Sequence, residues 1–161
     1  MEAIFRRIVD NHFSELPGLR VEAHVPVPER LLNEILVEAF RGNKNIESCR
    51  VSIGWQNRLS VNLKTPQWPW PFNLKLKLFS TVDFSGSPKV RAFLENNVLL
   101  GKLGALFKVL PEGVMLYEDQ ISIDIGSFVK DPEQRRYLDL ITAVEIGTEE
   151  GRIIFNVKAQ N

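Results

Sequence analysis

Apolar and polar residues alternate along much of this chain, which is the pattern of a strand with one buried face. Residues 19–27 alternate in this way and predict a strand with its valines turned inward. Residues 48–55 and 59–64 do the same on either side of a short polar pair, and they predict a hairpin. The alternation over 72–78 is the most regular, and we expect this strand to continue to Phe84.

A spacing of three and four residues between apolar positions predicts helices elsewhere. Residues 2–13 predict an amphipathic helix that ends near Pro17, and residues 28–41 predict a second one that begins at a proline and ends at Gly42. Residues 97–110 predict a third helix, with apolar residues around most of its circumference.

The C-terminal part returns to strand-like alternation, interrupted by a helical turn that begins at Asp131-Pro132-Glu133. The predicted strands cover 113–117, 120–125, 139–147 and 152–158. The sequence therefore predicts an α+β fold, a curved antiparallel β-sheet (meander) packed against two to three helices. We expect one domain over residues 1–161, with an N-terminal helix in 1–18 and a sheet-and-helix body over 19–158.

A chain of 161 residues with 44% hydrophobic residues can bury a core without metals or disulfides. Cys49 is the only cysteine, so no intrachain disulfide forms and a reducing compartment fits best. The first ten residues lack a signal-peptide pattern, and no window has the length of apolar residues that a membrane span needs. We expect a cytoplasmic protein.

The net charge is zero, but the charges are unevenly distributed. Residues 41–102 carry ten basic and three acidic residues, a net charge of +7, and the two flanking parts are acidic. One interpretation is that these cations only solvate the outward faces of strands. The alternative is a cationic face for an anionic surface, lipid headgroups before nucleic acid.

No pattern for a nucleophile, a phosphate-binding loop or a metal site occurs in the chain. His12 and His24 fall on different predicted elements, Cys49 falls on the apolar side of its strand, and Asp124 alternates with isoleucines and should point to water. Glu118, Asp119 and Asp124 are the densest acids near a strand and could form paired carboxylates for acid–base work, but the outward position predicted for Asp124 disfavours this role. We expect no catalytic residues, no metal and no cofactor. An enzyme is not favoured, and nucleic-acid binding is not expected because the outward strand positions lack stacking aromatic residues.

The segment Trp68-Pro69-Trp70-Pro71-Phe72 lies between two predicted strands. Because proline cannot donate to a strand ladder, the segment should form a stiff extended connection that presents its aromatic side chains. Trp68, Trp70 and Phe72 are candidates for contact with a membrane interface or a protein partner. The structural alternative is that the tryptophans fold back and cap an open end of the sheet.

The predicted helix over 97–110 has too few polar positions for an ordinary surface helix. It either is buried between layers or lines an apolar cavity or membrane interface. Its candidate ligand-lining residues are Leu99, Leu103, Leu106 and Phe107.

The order of these elements resembles a known family. Val25-Pro26-Val27-Pro28 leads into the helix, Leu59-Ser60-Val61-Asn62-Leu63 ends the paired strands, and Ile121-Ser122-Ile123-Asp124-Ile125 precedes the last two strands. This order is similar to that of bacterial single-module relatives of the tubular lipid-binding (TULIP-like) superfamily, over about residues 19–158. The resemblance implies a long curved sheet that wraps a helix and leaves an apolar groove for acyl chains. It implies no catalytic residues.

Two functions follow from these patterns. The first is a non-enzymatic binding module for a lipid or another apolar small molecule, with peripheral contact to a membrane surface. The alternative is a protein-interaction or assembly module, in which the aromatic segment or an exposed strand edge contacts a protein partner or a second copy in a homo-oligomer.

Overall fold

The protein is mostly antiparallel β-sheet, with helices at the margins of two sheets. The computed structural model describes Gly18 and residues 20–84, 87–95, 112–129 and 131–160. Within these residues the prediction of an antiparallel α+β fold is confirmed. The predicted helices over 2–13 and 97–110 lie outside the described residues.

Six strands form the larger sheet, in the spatial order β2-β3-β4-β5-β7-β6, with every neighbouring pair antiparallel. Their bounds are β2 Ser48–Ile53, β3 Arg58–Lys64, β4 Phe72–Leu78, β5 Lys89–Leu94, β6 Val114–Tyr117 and β7 Gln120–Asp124. Three strands form the smaller sheet in the order β1-β9-β8, with β1 Arg20–Pro28, β8 Ile141–Glu149 and β9 Arg152–Gln160. The helices are α1 Glu29–Ala39, the short α2 Ile125–Phe128 and α3 Pro132–Asp139.

One face of the six-stranded sheet carries most of the core. Strand β4 shows this most clearly, because its apolar residues are all buried and the residues between them are all exposed. The register brings Leu76 opposite Leu59 on one side and Leu94 on the other. Buried residues of the neighbouring strands, with Ile46 and Val82, complete this face, and Ile146 and Ile153 of the smaller sheet pack into the same cluster.

The β2–β3 hairpin closes as predicted, at a turn in which Gln56 and Asn57 both have positive φ, 56° and 61°. Residues other than glycine rarely adopt this conformation, although asparagine tolerates it better than most. Asn57 is held there by three contacts: its N–H donates to Thr148 Oγ1 at 2.7 Å, its Nδ2 donates to the Ile146 carbonyl at 3.2 Å, and its carbonyl accepts from the Leu78 N–H at 2.7 Å. The turn is therefore fixed against the smaller sheet.

Helix α1 packs on the core through Leu32 and Leu36, as does Phe40 directly after it, and the chain turns away at Gly42, which has φ +76°. Only part of its predicted apolar stripe is covered, because Leu31 and Ile35 remain exposed. The helix also covers the outer edge of β2 with polar side chains. Asn33 forms two 2.8 Å hydrogen bonds with the backbone of Val51, one as donor and one as acceptor.

The smaller sheet joins the larger one along β8. The Val82 N–H donates to the Val144 carbonyl at 3.0 Å, and the Ile146 N–H donates to the Ser80 carbonyl at 2.7 Å. The segment between β4 and β5 thus acts as an extra strand against β8, and Thr81 forms a bridge with Glu145.

Strand β1 forms over nearly the predicted residues, but two of the valines that were predicted to turn inward are exposed. Val21 is 44% exposed and Val25 is 43% exposed. Strand β1 lies at the edge of the smaller sheet, and the core covers only the β8 side of that sheet's apolar face. Alternation therefore predicted which face of β1 is apolar. It did not predict that the core stops short of this strand.

Three other elements differ from the predictions. Strand β4 ends at Leu78, before the predicted Phe84, and the residues after it form isolated bridges. Strand β5 was not predicted, because Phe93 stands among its outward positions and obscures the alternation. The short helix α2 was not predicted either, and it begins where Asp124 caps the chain.

Candidate functional site

An apolar cavity of about 140 Å³ lies between the smaller sheet and the segment that follows β4. Only apolar side chains line it. They are Val82, Phe84, Pro88, Ile125, Leu138, Ile141, Val144, Phe155 and Val157. Because no polar group is presented to it, the cavity is suited to an apolar group and offers no chemistry for proton or group transfer.

The floor of the cavity is formed by two paired strands. Val144 of β8 lies opposite Val157 of β9, and Phe155 lies one step further along the same face. Val82 and Phe84 enter from the connection between β4 and β5, which the bond from the Val82 N–H to Val144 holds in place. The cavity therefore depends on a junction of distant segments.

The apolar face that forms this floor continues onto β1. Val25 lies opposite Phe155, Ala23 opposite Val157 and Val21 opposite Ala159. Because Val21 and Val25 are exposed, an apolar strip extends from the cavity to the sheet edge. We refer to Val21, Ala23 and Val25 as the β1 strip.

Two larger grooves are open and lined mainly by charged or polar residues. One, of about 830 Å³, runs between α1 and β2 and contains Glu29, Arg30, Glu34 and Arg50. The other, of about 520 Å³, lies on the outer face of the six-stranded sheet. Charged side chains line both grooves, so neither is as suited to an apolar ligand as a wholly apolar cavity.

The candidate aromatic residues occupy different environments. Trp70 is 78% exposed, whereas Trp68 is half-buried and packs edge-on against Phe72 with ring centroids 5.8 Å apart. Phe72 is 6% exposed and belongs to the core. Trp70 alone among them is therefore largely free to contact a membrane or a partner.

Trp70 does not lie beside the apolar cavity. The aromatic segment precedes β4, and Val82 of the cavity follows it. Seven extended residues span roughly 20 Å. Any contact made by Trp70 is thus separate from the cavity. The candidate lining residues Leu99, Leu103, Leu106 and Phe107 lie outside the described residues.

The outer face of the six-stranded sheet carries an aromatic pair that the sequence analysis missed. The rings of Phe79 and Phe93 lie 4.6 Å apart, and the Arg91 guanidinium lies 5.1 Å above the Phe79 ring. The same face carries many of the basic residues of the middle of the chain, but three of them pair with acids: Arg58 with Glu95, Lys64 with Glu47, and Arg91 with Asp83. These pairs offset much of the positive charge of this face.

Two titratable residues, Asp124 and Cys49, have a pKa that is shifted by their surroundings. Asp124 does not simply point to water as predicted, since its Oδ1 accepts hydrogen bonds from the Ser87 hydroxyl and the Ser127 N–H. The Ser87 hydrogen bond is the main cause of a lowered Asp124 pKa. Burial raises the pKa of the Cys49 thiol, which disfavours the reactive thiolate at neutral pH.

His24 Nδ1 lies 2.8 Å from Asn156 Oδ1 on the polar face of the smaller sheet. Glu118 and Asp119 lie exposed in the β6–β7 turn. Within the described ranges, no group of three His, Cys, Asp or Glu side chains could hold a metal ion. The helices described here include none with the length and hydropathy to cross a membrane.

Comparison of the chain with models of protein families, with curated proteins and with solved structures finds no match. The candidate site therefore rests on its own geometry.

Proposed function

We propose that the protein is a non-enzymatic binding module for an apolar small molecule or the end of a lipid chain. The apolar cavity carries this proposal, because its lining is wholly apolar and the β1 strip extends its floor. An engineered apolar cavity of about 150 Å³ stays dry and binds benzene, so the volume fits a small ring or a short length of alkyl chain.

The size of the cavity limits the ligand. Pockets that enclose drug-sized ligands have volumes of about 300 to 1,000 Å³. A whole lipid does not fit in about 140 Å³. The proposed binding mode places one apolar end in the cavity and the remainder along the β1 strip.

Four other expectations drawn from the sequence are part of the same proposal. They are a relation to the TULIP-like relatives, a curved sheet packed against two to three helices, a cytoplasmic location and peripheral contact with a membrane. The apolar floor of the smaller sheet supports binding of an apolar group, and the exposed Trp70 supports contact with a membrane. The alternative function is an assembly module, and the exposed edge of β1 is the observation that supports it.

A titration with benzene tests the cavity, followed by the methyl resonances of the valines and isoleucines in NMR spectra. We expect saturable shifts of Val144 and Val157, since both line the cavity. Val157→Phe should abolish them by filling the space. Val37→Phe is the matched control. Val37 is exposed on α1, so this substitution adds the same volume outside the cavity.

Unchanged Val144 and Val157 resonances at saturating benzene would contradict the proposal. Equal loss of the shifts in both phenylalanine variants would do so too. Native mass spectrometry of gently purified protein should also show a retained apolar adduct, present with Val37→Phe and absent with Val157→Phe.

A further inference from the structure

The two sheets have four outer edges, and they are not equally protected. Asn33 and Glu29 of α1 cover the edge of β2: Asn33 bonds to the Val51 backbone, and Glu29 Oε2 accepts from the Ile53 N–H at 2.8 Å. The edge of β8 pairs with the segment around Val82. The edge strand β6 has only four residues.

Strand β1 is the exception. It is nine residues long, and among the described residues nothing pairs with its outer edge. Both of its faces are largely exposed. A long exposed edge strand with apolar residues is a template for pairing with another strand.

The backbone groups that point outward from β1 follow from the hydrogen bonds around it. In an extended strand, the N–H and C=O of one residue point to one side and those of the next residue point to the other. The Glu29 N–H donates toward the β9 side, to the Gly151 carbonyl at 2.8 Å. By the same alternation the odd-numbered residues of β1 pair with β9, and the even-numbered residues face outward.

Two prolines stand among these outward positions. Pro26 and Pro28 have no N–H, so their position at a free edge leaves no donor unpaired. The outward donors are therefore the N–H groups of Arg20, Glu22 and His24. They define a short segment that can pair, limited by Pro26 on the C-terminal side.

We propose that this edge pairs antiparallel with β1 of a second copy of the chain, with Ala23 opposite Ala23 across a two-fold axis. Val21 then lies opposite Val25 of the other copy, which joins the two β1 strips. Glu22 lies opposite His24, and Arg20 lies opposite Pro26. The three-stranded sheets of the two copies become one six-stranded sheet.

Side-chain pairing favours this register over its neighbours. A shift of the axis to Glu22 places the two Glu22 carboxylates opposite each other, and like charges directly opposite are unfavourable. A shift of the axis to His24 places Glu22 opposite Pro26 and loses the Glu22–His24 pair. A shift of one strand along the other by an odd number of residues places apolar residues opposite polar ones, because side chains alternate between faces.

Disulfide formation tests the register. In the proposed dimer the two Ala23 residues form a pair without direct backbone hydrogen bonds, with Cα atoms about 4.5 Å apart. A disulfide spans that distance. In a Cys49→Ala background, Ala23→Cys should give a covalent dimer under mild oxidation.

Val21→Cys in the same background is the matched control. The two Val21 positions are offset by four residues in the proposed register, roughly 14 Å along the strands. This variant should remain monomeric on a non-reducing gel. A covalent dimer with Val21→Cys and none with Ala23→Cys would overturn the proposal.

Sedimentation velocity of the unmodified chain supplies the second measurement. We expect a concentration-dependent dimer that Glu22→Pro shifts toward monomer, because this change removes an outward N–H and leaves the bonds to β9 in place. Circular dichroism checks that the variant folds. A monomer at every concentration would overturn the proposal. Protection of the Glu22 and His24 amides from hydrogen exchange in such a monomer would show that the edge is covered from within the same chain.

Discussion

Asparagine side chains at two positions act in place of backbone groups. Asn33 donates to and accepts from Val51 at the β2 edge, and Asn57 donates to Ile146 at the junction of the two sheets. A carboxamide has both a donor and an acceptor, as a peptide group does. These two residues therefore satisfy strand groups that would otherwise lack a partner.

Asp124 has a similar local role, since it accepts from Ser87 and Ser127 and caps the start of α2. These hydrogen bonds favour the ionised carboxylate, so its pKa is lower in the folded than in the unfolded protein. Its stabilising contribution is complete above the unfolded pKa, about 3.9. The contribution is lost as the pH falls through the lower, folded value.

We expect Asp124→Asn to reduce the urea midpoint at neutral pH and to have a smaller effect as the pH falls below the unfolded pKa of about 3.9. Urea titrations at several pH values measure this difference. Ser87→Ala removes the hydroxyl that is the main cause of the shift, so it should raise the Asp124 pKa measured by carboxyl NMR. A constant difference between wild type and Asp124→Asn across this range would contradict the assignment.

Strands β1 and β4 show what alternation does and does not predict about an element. Both alternate; β1 formed over nearly the predicted residues, and β4 formed over the regular part of its predicted range, Phe72–Leu78. Strand β4 lies inside a six-stranded sheet with core on one face, whereas β1 is an edge strand with little core over its valines. The pattern assigns side chains to faces, and only the neighbours determine whether a face is buried.

The aromatic segment before β4 gives a prediction at the same scale. Trp70→Ala should change the free energy of unfolding by less than about 0.5 kcal/mol, because the side chain is exposed. It should nevertheless reduce sedimentation of the protein with anionic phosphatidylserine vesicles, as expected for an interfacial tryptophan.

Trp68→Ala is the companion variant. Because Trp68 packs against Phe72 and the core, this change should destabilise the protein by about 1–3 kcal/mol. The membrane-contact hypothesis is wrong if the wild type does not sediment with vesicles, or if Trp70→Ala sediments as well as the wild type.

At the scale of the whole molecule, the two sheets share one core. Ile146 is 4% exposed and lies with Ile153 among the buried residues of the larger sheet. Hydrogen bonds from Asn57 and Val82 tie the same strand to the larger sheet. We expect the two sheets to unfold together.

Ile146→Ala should therefore reduce the free energy of unfolding by about 2–5 kcal/mol. The midpoints of unfolding measured by tryptophan fluorescence and by circular dichroism should fall by the same amount. Ile154→Ala is the matched control, because Ile154 is half-buried on the opposite face of the smaller sheet and should cost less. Separate transitions for the two probes would show that the sheets unfold independently.

The candidate site was less predictable than the fold. Inward positions such as Phe155 and Val157 follow from alternation on the last strand. Nothing in the alternation brings Val82 and Phe84 against them, because that contact depends on pairing between segments about sixty residues apart. The aromatic pair of Phe79 and Phe93 was missed for the same reason, since Phe79 follows β4 and Phe93 lies on β5.

The sequence by itself determined the local structure of this protein: the period of its strands, the start and end of α1, and the β2–β3 turn. These features depend on residues close together along the chain, through side-chain alternation and the allowed backbone angles. Only the tertiary structure decided which apolar faces are covered, where the cavity lies and which edge has no partner among the described residues. Those features depend on pairing between distant strands, and local pattern does not encode the choice of partner.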